Sequence, residues 1–327
     1  AVALQLLPRP DVKRVDLRII VKQRNGWVDQ DNPKLIIDNP KFDGTIKRGS
    51  ATCPCCGYTT PVASVQRQLR LKNGGSDNAR LTSVVTTSDS EQGRSFRLPS
   101  LHDYSAVKNA CKELNRRRSR GNVFFPEDTL PLMSGVFNAP IYGHNTWASV
   151  FTSRQALVLS SLIDLVLRAA EKIRKDNPLL APAVIAVLSL GVSKIADIAN
   201  SLVIWKPSMT QAIHLFTRQA IPMLWDFAET APLSDAAGDY ATTIGNIARV
   251  LSRETNAYSP GHAEKASATE HPLPSNSVSA FITDPPYYNA IPYADLSDFF
   301  YVWLRYMLRE SFPNLFSDTL APKEQEI

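Results

Sequence analysis

The apolar run Val278-Ser-Ala-Phe-Ile-Thr283 leads directly into Asp284-Pro285-Pro286-Tyr287, and this junction constrains the fold more than any other stretch of the chain. A short apolar run bounded by turn signals reads as a strand buried in a sheet. The two prolines end it, because each lacks an N–H donor and fixes φ, and each also pushes the preceding residue toward extended backbone. The carbonyls at the strand end therefore have few local partners and can turn toward a ligand. Asp284 adds a carboxylate acceptor, the Pro285 carbonyl a second one, and Tyr287 a ring face. In an open α/β sheet, ligands bind at the carboxyl ends of strands, where these four residues would stand. The alternative for the same residues is a Pro-rich turn after an edge strand.

Acceptors beside an aromatic ring suit the activation of an aromatic amine. The lone pair of a group such as adenine N6 is delocalised into the ring, and acceptors that take its hydrogens free that pair. A base flipped out of a duplex loses its neighbours, and stacking on an aromatic side chain recovers roughly 1–3 kcal/mol. Asp-Pro-Pro-Tyr after such a strand is the signature of enzymes that methylate an exocyclic amino nitrogen. The longer stretch TDPPYYNAIPYADLSDFFYVWLR (283–305) resembles the large bacterial and archaeal adenine-specific DNA methyltransferases that carry a Zn-ribbon insertion. So do CPCCGYTTP (53–61), ARLTSVVTT (79–87), TWASVFTSRQ (146–155) and RQAIPMLWDFAE (218–229), so that the resemblance runs over nearly the whole chain.

What the resemblance implies is S-adenosylmethionine-dependent methylation of adenine N6 in double-stranded DNA, with Asp284, Pro285, Pro286 and Tyr287 as the catalytic motif. It also implies a DNA modification or phage-defence setting, with restriction or defence proteins as partners. Tyr288, Asn289 and Tyr293, just beyond the motif, become candidates for contacts to the flipped base or its flanks, or else they only pack the loop. The implied fold is α/β: a partial Rossmann-like methyltransferase sheet with a β-rich Zn-ribbon insertion and a largely helical insertion. One departure stands out. The family's Phe-x-Gly-x-Gly turn is absent, since none of Gly44, Gly49, Gly57, Gly74, Gly75, Gly121, Gly135 and Gly143 closes a strand-to-helix cofactor loop. The resemblance thus implies a fragment whose glycine motif lies upstream of Ala1, inactive by itself.

Cysteine spacing gives a second, independent signal. Three of the four cysteines cluster as Cys53-Pro-Cys55-Cys56-Gly57, and Cys53 and Cys56 have the spacing of a zinc knuckle, with Gly57 permitting the tight turn. Closing a tetrahedral zinc site needs a second pair, which the family resemblance places before Ala1. The alternative is a cytosolic thiol cluster without metal. Charge is also uneven: residues 1–125 hold 22 Lys and Arg against 11 Asp and Glu, whereas residues 126–327 hold 14 against 20. The basic half is where phosphate contacts are expected, densest at Lys112, Arg116, Arg117, Arg118 and Arg120. The same residues read equally well as the solvated face of a helix.

Pattern divides the chain into four parts. The first part is 1–78: residues 11–65 alternate in strand fashion, with strands at 15–21, 34–37 and 45–52 broken by Asn-Gly, Asn-Pro and Asp-Gly turns, and predict a β-ribbon ending in the knuckle, followed by a flexible connection at 72–78. Residues 79–150 read as mixed, with a strand near Leu81 to Thr87 and a helix near Tyr104 to Arg118. Residues 151–260 form a helical insertion that family analogy makes a DNA-recognition lobe, with helices from Ser153 to Asn177, Ala183 to Ile204, Met209 to Ala220 and Ala241 to Ser252. Residues 261–327 form the C-terminal part of the catalytic domain: a strand at Lys265 to Thr269, a turn at Pro272 to Ser277, the motif strand, and a helix from Leu296 to Arg309.

No secretory signal is legible at the N-terminus, where Pro8, Arg9 and Pro10 interrupt any apolar stretch. The longest apolar run, Ala181 to Val192, falls short of the ~20 residues of a membrane span, and a cytoplasmic location is expected. Two other functions stay open. One is an amino-methyltransferase acting on RNA or on protein glutamine; the other is a non-catalytic Zn-ribbon scaffold that binds nucleic acid.

Overall fold

A computed structural model describes residues 1–38, 40, 44–88, 93–236, 238–254, 261–263, 266, 269–270, 272–287 and 290–323. The chain is mixed α/β. Its first layer is a four-stranded sheet in the order β1 (Val2–Arg9), β2 (Arg14–Gln23), β3 (Gly26–Asp29), β4 (Ile36–Ile37). β1 and β2 pair antiparallel from Val2 opposite Val21 to Arg9 opposite Arg14, and Lys13 takes the left-handed φ of 50° that the tight turn needs. Ile19, Ile20 and Val28 are the buried residues of this sheet.

A second antiparallel sheet follows, β5 (Ile46–Lys47), β6 (Ser50–Thr52) and β7 (Thr59–Thr60), with the cysteine turn joining β6 to β7. α1 (Val62–Arg70) and the hairpin of β8 (Val84–Thr86) and β9 (Ser95–Arg97) lead into α2 (Leu101–Ser119). Ser100 opens α2 with a capping box shared with Asp103. The β-rich character expected for residues 1–78 is present; the strands at 34–37, 45–52 and 81–87 are shorter than the pattern suggested.

Residues 72–78 were expected to be a flexible connection, and the structure overturns this. Gly74 (φ +84°) lies against the His144 ring, where a Cβ would come within 2.3 Å of ring atoms. Ser76 is buried and donates to the Ser149 carbonyl at 2.9 Å. Asp77 accepts from the backbone N–H of Ser153 at 2.6 Å and its hydroxyl at 2.7 Å, capping the next helix. Sequence-distant partners thus fix a segment whose composition reads as a linker.

The core is helical. α3 (Ser153–Asp176) starts at a capping box between Thr152 and Gln155 and stops at Asn177 ahead of Pro178. α4 (Ala181–Ile198) packs against α3, α5 (Tyr240–Glu254) and α6 (Tyr293–Leu308), and the short α7 (Pro313–Phe316) packs on α6. α4 has the length and apolarity of a membrane span, yet Ile185, Val192, Ile195 and Ala196 are wholly covered by protein, the position of a core helix. At the centre, Phe299 meets Trp147, Phe151, Phe216 and Phe300, with ring centroids 5.1–6.2 Å apart. Burial of each such side chain stabilises by about 1.5–3 kcal/mol.

Between α4 and α5 the expectation fails at 209–220, which is not helical. Thr210 sits at φ +47°, and a small hairpin pairs β10 (Trp205–Lys206) with β11 (Gln211–Ala212). α4 itself ends at Ile198 rather than Ile204, because buried Asn200 turns its Nδ2 onto the Ala196 and Asp197 carbonyls at 2.9 and 3.2 Å. Side-chain competition for the backbone thus ends the helix before its apolar pattern does.

Residues 278–283 were expected to form a buried strand, and they form no strand. Val278 is 49% exposed, Phe281 69% and Ile282 93%. Every strand pair among the described residues is antiparallel, so no parallel neighbours are present for this run to join. The expected strand at Lys265 to Thr269 falls largely outside the described residues. The turn at Pro274 to Ser277 is present, with the Ser277 hydroxyl donating to the Pro274 carbonyl at 2.7 Å.

Candidate functional site

The motif residues stand on an exposed segment without regular secondary structure that leads into a largely buried helix. Asp284, Pro285, Pro286 and Tyr287 are all exposed, Tyr287 to 71%. The Tyr287 carbonyl accepts from the Ala290 N–H at 3.3 Å, and the chain enters α6 at Tyr293, which is 46% exposed. Tyr288 and Asn289 lie outside the described residues. Asp284 and the ring of Tyr287 are therefore accessible from solvent.

The helix behind the motif is held by a cluster that the sequence did not point to. Asp295 and Asp298 lie on adjacent turns of α6, and Lys323 donates to both, at 2.5 Å to Asp295 and 2.6 Å to Asp298. The backbone N–H of Ala321 also donates to Asp298, at 2.8 Å. Burial pushes the Asp298 carboxyl above the usual carboxylate range, against the pull of Lys323 and Ala321. For Lys323, burial works to lower the ammonium's pKa and is outweighed by the two carboxylates, so it stays above the usual lysine value. Segment 318–323 thus straps the start of α6. No local spacing links Lys323 to Asp295 and Asp298, which is why pattern reading missed it.

The basic cluster is divided by the fold. Glu113 takes the Nε and an NH2 of Arg116, both at 2.7 Å, and the Nε of Arg117 at 2.8 Å. These guanidiniums hold the Glu113 carboxyl down to about 2. Arg117 also donates to the Ser161 hydroxyl at 2.9 Å. Arg118 turns away, bonding Glu127 and lying 4.5 Å over the Phe125 ring. Lys112 and Arg120 are exposed, and neither has a side-chain partner among the described residues. Paired and unpaired cations therefore share the C-terminal half of α2 and its cap, where all but the half-buried Arg117 are exposed.

The cysteines lie on a tight turn between β6 and β7. Cys53 N–H donates to the Tyr58 carbonyl at 2.8 Å and Gly57 N–H to the Cys53 carbonyl at 2.9 Å, with Gly57 at φ +74°. Hydrogen bonds from Cys56 and then Cys55 lower the Cys53 thiol below its ordinary value. The Cys55 thiol is turned instead to the Arg14 carbonyl, at 3.3 Å. Two exposed thiols in a tight turn, Cys53 and Cys56, fit one half of a tetrahedral zinc site. Among the described residues no group of three or more His, Cys, Asp or Glu completes it.

No protein-family model, no curated protein and no solved structure matches the chain significantly.

Proposed function

We propose that this protein is an amino-methyltransferase acting on adenine N6 in double-stranded DNA, with S-adenosylmethionine as the methyl donor. The observation that carries the reading is the tetrapeptide Asp284 to Tyr287, displayed in full on an exposed segment whose next helix is locked into the core. Asp284 and the Pro285 carbonyl accept the hydrogens of the target amino group, which frees its lone pair. Tyr287 stacks on the extruded base, a contact worth roughly 1–3 kcal/mol. Proximity supplies much of the remaining acceleration, and it requires the motif to be held against a fixed frame. The strap of Lys323 over Asp295 and Asp298 contributes that frame from below.

The finer architecture, a Rossmann-like methyltransferase sheet with a Zn-ribbon insertion, belongs to the same proposal. Antiparallel strands flanking an exposed Cys-x-x-Cys turn support the ribbon. No residue of the chain is assigned to the methyl donor, so the steps above concern the acceptor and platform only. Lys112, Arg116, Arg117, Arg118 and Arg120 are proposed as phosphate contacts, with a defence or restriction protein as a further partner.

The test is transfer of tritiated methyl from S-adenosylmethionine to unmethylated duplex DNA by the native protein, with the product base identified. Label on adenine N6, lost in Asp284→Ala with DNA affinity unchanged, is the expected result; turnover retained in Asp284→Ala would sink the mechanism. The exposure of residues 278–287 outside any sheet favours a second reading, a non-catalytic scaffold that binds nucleic acid. Salt-dependent DNA binding without methyl transfer would establish it.

A further inference from the structure

Arg116, Arg117 and Arg120, at the end of α2, are exposed or half-buried, and they share one surface hollow. They meet Arg168 of α3, itself largely exposed, around a half-open cavity of about 500 Å³ with Phe124 in its wall. No local pattern points to Arg168, which joins the others only because α2 packs along α3.

Charge in the cavity is not balanced. Glu113 is shared by Arg116 and Arg117, and Asp164 takes Arg168 at 2.8 Å, so four guanidiniums face two carboxylates and two positive charges are left over. Arg120 is the residue with no acidic partner among the described residues. A helix C-terminus would ordinarily repel an anion through its open carbonyls. Here a left-handed Gly121 (φ +68°) closes them: Gly121 N–H donates to the Arg118 carbonyl and Asn122 N–H to the Arg117 carbonyl, both at 3.0 Å. The repulsive end of α2 is thereby capped, and the cations remain.

We propose that this cavity binds a phosphomonoester dianion. The excess of two positive charges matches such a group, which carries about −1.5 to −2 at neutral pH, better than it matches the single charge of an internal phosphodiester. Planar guanidiniums offer the paired donors that phosphate oxygens take. The volume leaves room for the sugar beyond the phosphate, with Phe124 as an apolar wall. Two sources present this chemistry: a free nucleoside monophosphate, and the 5′-phosphate at the end of a nucleic-acid strand. Arg116, Arg117 and Arg120 are also among the proposed contacts to duplex phosphates, but Asp284 has no part in this cavity, so failure of phosphomonoester binding would leave the role of Asp284 untouched and the reverse also holds.

Calorimetric titration with adenosine 5′-monophosphate tests the first source. Fluorescence anisotropy of a 3′-labelled oligonucleotide, with 5′-phosphate against 5′-hydroxyl, tests the second. The expected result is saturable binding in at least one arm, with the 5′-phosphate strengthening strand binding about tenfold if the strand end is the ligand. The double substitution R120A/R168A abolishes that dependence, and Arg249→Ala on α5 leaves it unchanged. If R120A/R168A loses its fold by circular dichroism, Arg120→Gln alone, at an exposed side chain, carries the same expectation. Absence of phosphate-dependent binding in both arms overturns the proposal, as does binding that survives these substitutions.

Discussion

Arg305 of α6 grips Asp128 through two nitrogens, NH2 to Oδ2 at 2.5 Å and NH1 to Oδ1 at 3.3 Å, and it donates as well to the Thr319 carbonyl. Both charged side chains are more than four-fifths buried. The pair ties the irregular stretch after α2 to the last long helix, where Asp128 also presents its carbonyl to the Trp147 N–H at 3.0 Å. Breaking one side of a buried pair strands the other charge. Asp128→Ala is therefore expected to lower the unfolding free energy by about 3–5 kcal/mol. Urea denaturation checks this, and a loss under about 1 kcal/mol would place the pair with ordinary surface bridges.

Gly74 and Gly75 offer a paired test of the clamp at 72–78. Both have positive φ, but a Cβ on Gly74 would enter the His144 ring, whereas one on Gly75 would crowd the end of the flexible Leu69 side chain at 3.0 Å, which can shift by a few tenths of an ångström. Left-handed backbone alone costs about 1–2 kcal/mol. Gly75→Ala is expected to fall within that range, and Gly74→Ala to exceed it by a further 1–3 kcal/mol or so from overpacking. Equal melting shifts for the two variants would show that the His144 contact contributes nothing.

Acid should weaken the end of α2 through Glu113. Its folded carboxyl is depressed from an ordinary 4.5 to about 2 by Arg116 and then Arg117. A depressed carboxylate contributes stability that is complete above the unfolded value and is lost as pH falls through the folded one. The window is therefore about pH 4.5 down to 2. In Glu113→Gln, the acid-induced loss of stability across that window should be shallower than in the parent. Superimposable stability curves for parent and variant would disprove the linkage.

The cysteine turn makes a prediction that needs no activity. Cadmium added to the reduced protein should produce thiolate-to-metal absorbance that depends on Cys53 and Cys56. Cys53→Ser or Cys56→Ser should remove it, and Cys111→Ser should not. Absorbance indifferent to Cys53 and Cys56 would leave the turn as a hairpin with incidental thiols.

Local rules carried the helices well. Ser153, Asn177-Pro178 and the apolar period of α3 fixed a helix whose observed bounds are Ser153–Asp176, and α6 covers the Leu296 to Arg309 expectation apart from its last residue, starting three residues earlier. Local reasoning failed where distant partners decide. Gly74 and Gly75 look like a linker until His144 is seen against Gly74, and residues 209–220 look helical until the strand pairing of Gln211–Ala212 is known. Within the candidate site, the exposed Asp284 and Tyr287 were visible from sequence as residue types. Their lack of a strand context was not, because the pairing of an apolar run depends on strands elsewhere. Arg168 and Lys323 were invisible for the same reason, each reaching its neighbours across the fold.

The position of α4 bears on how the chain comes off the ribosome. α3 and α4 are joined by a short turn at 177–180 and can pair as soon as both are made, but the α6 face of α4 stays bare until residue 308 has emerged. At synthesis rates of about 5–20 residues per second, that delay is on the order of 10 s. For that time a helix apolar enough to pass for a membrane span is without its cover. Nascent chains arrested between Ile198 and Leu308 should therefore be the ones that chaperones hold, and release should follow the arrival of Phe299 and Trp303.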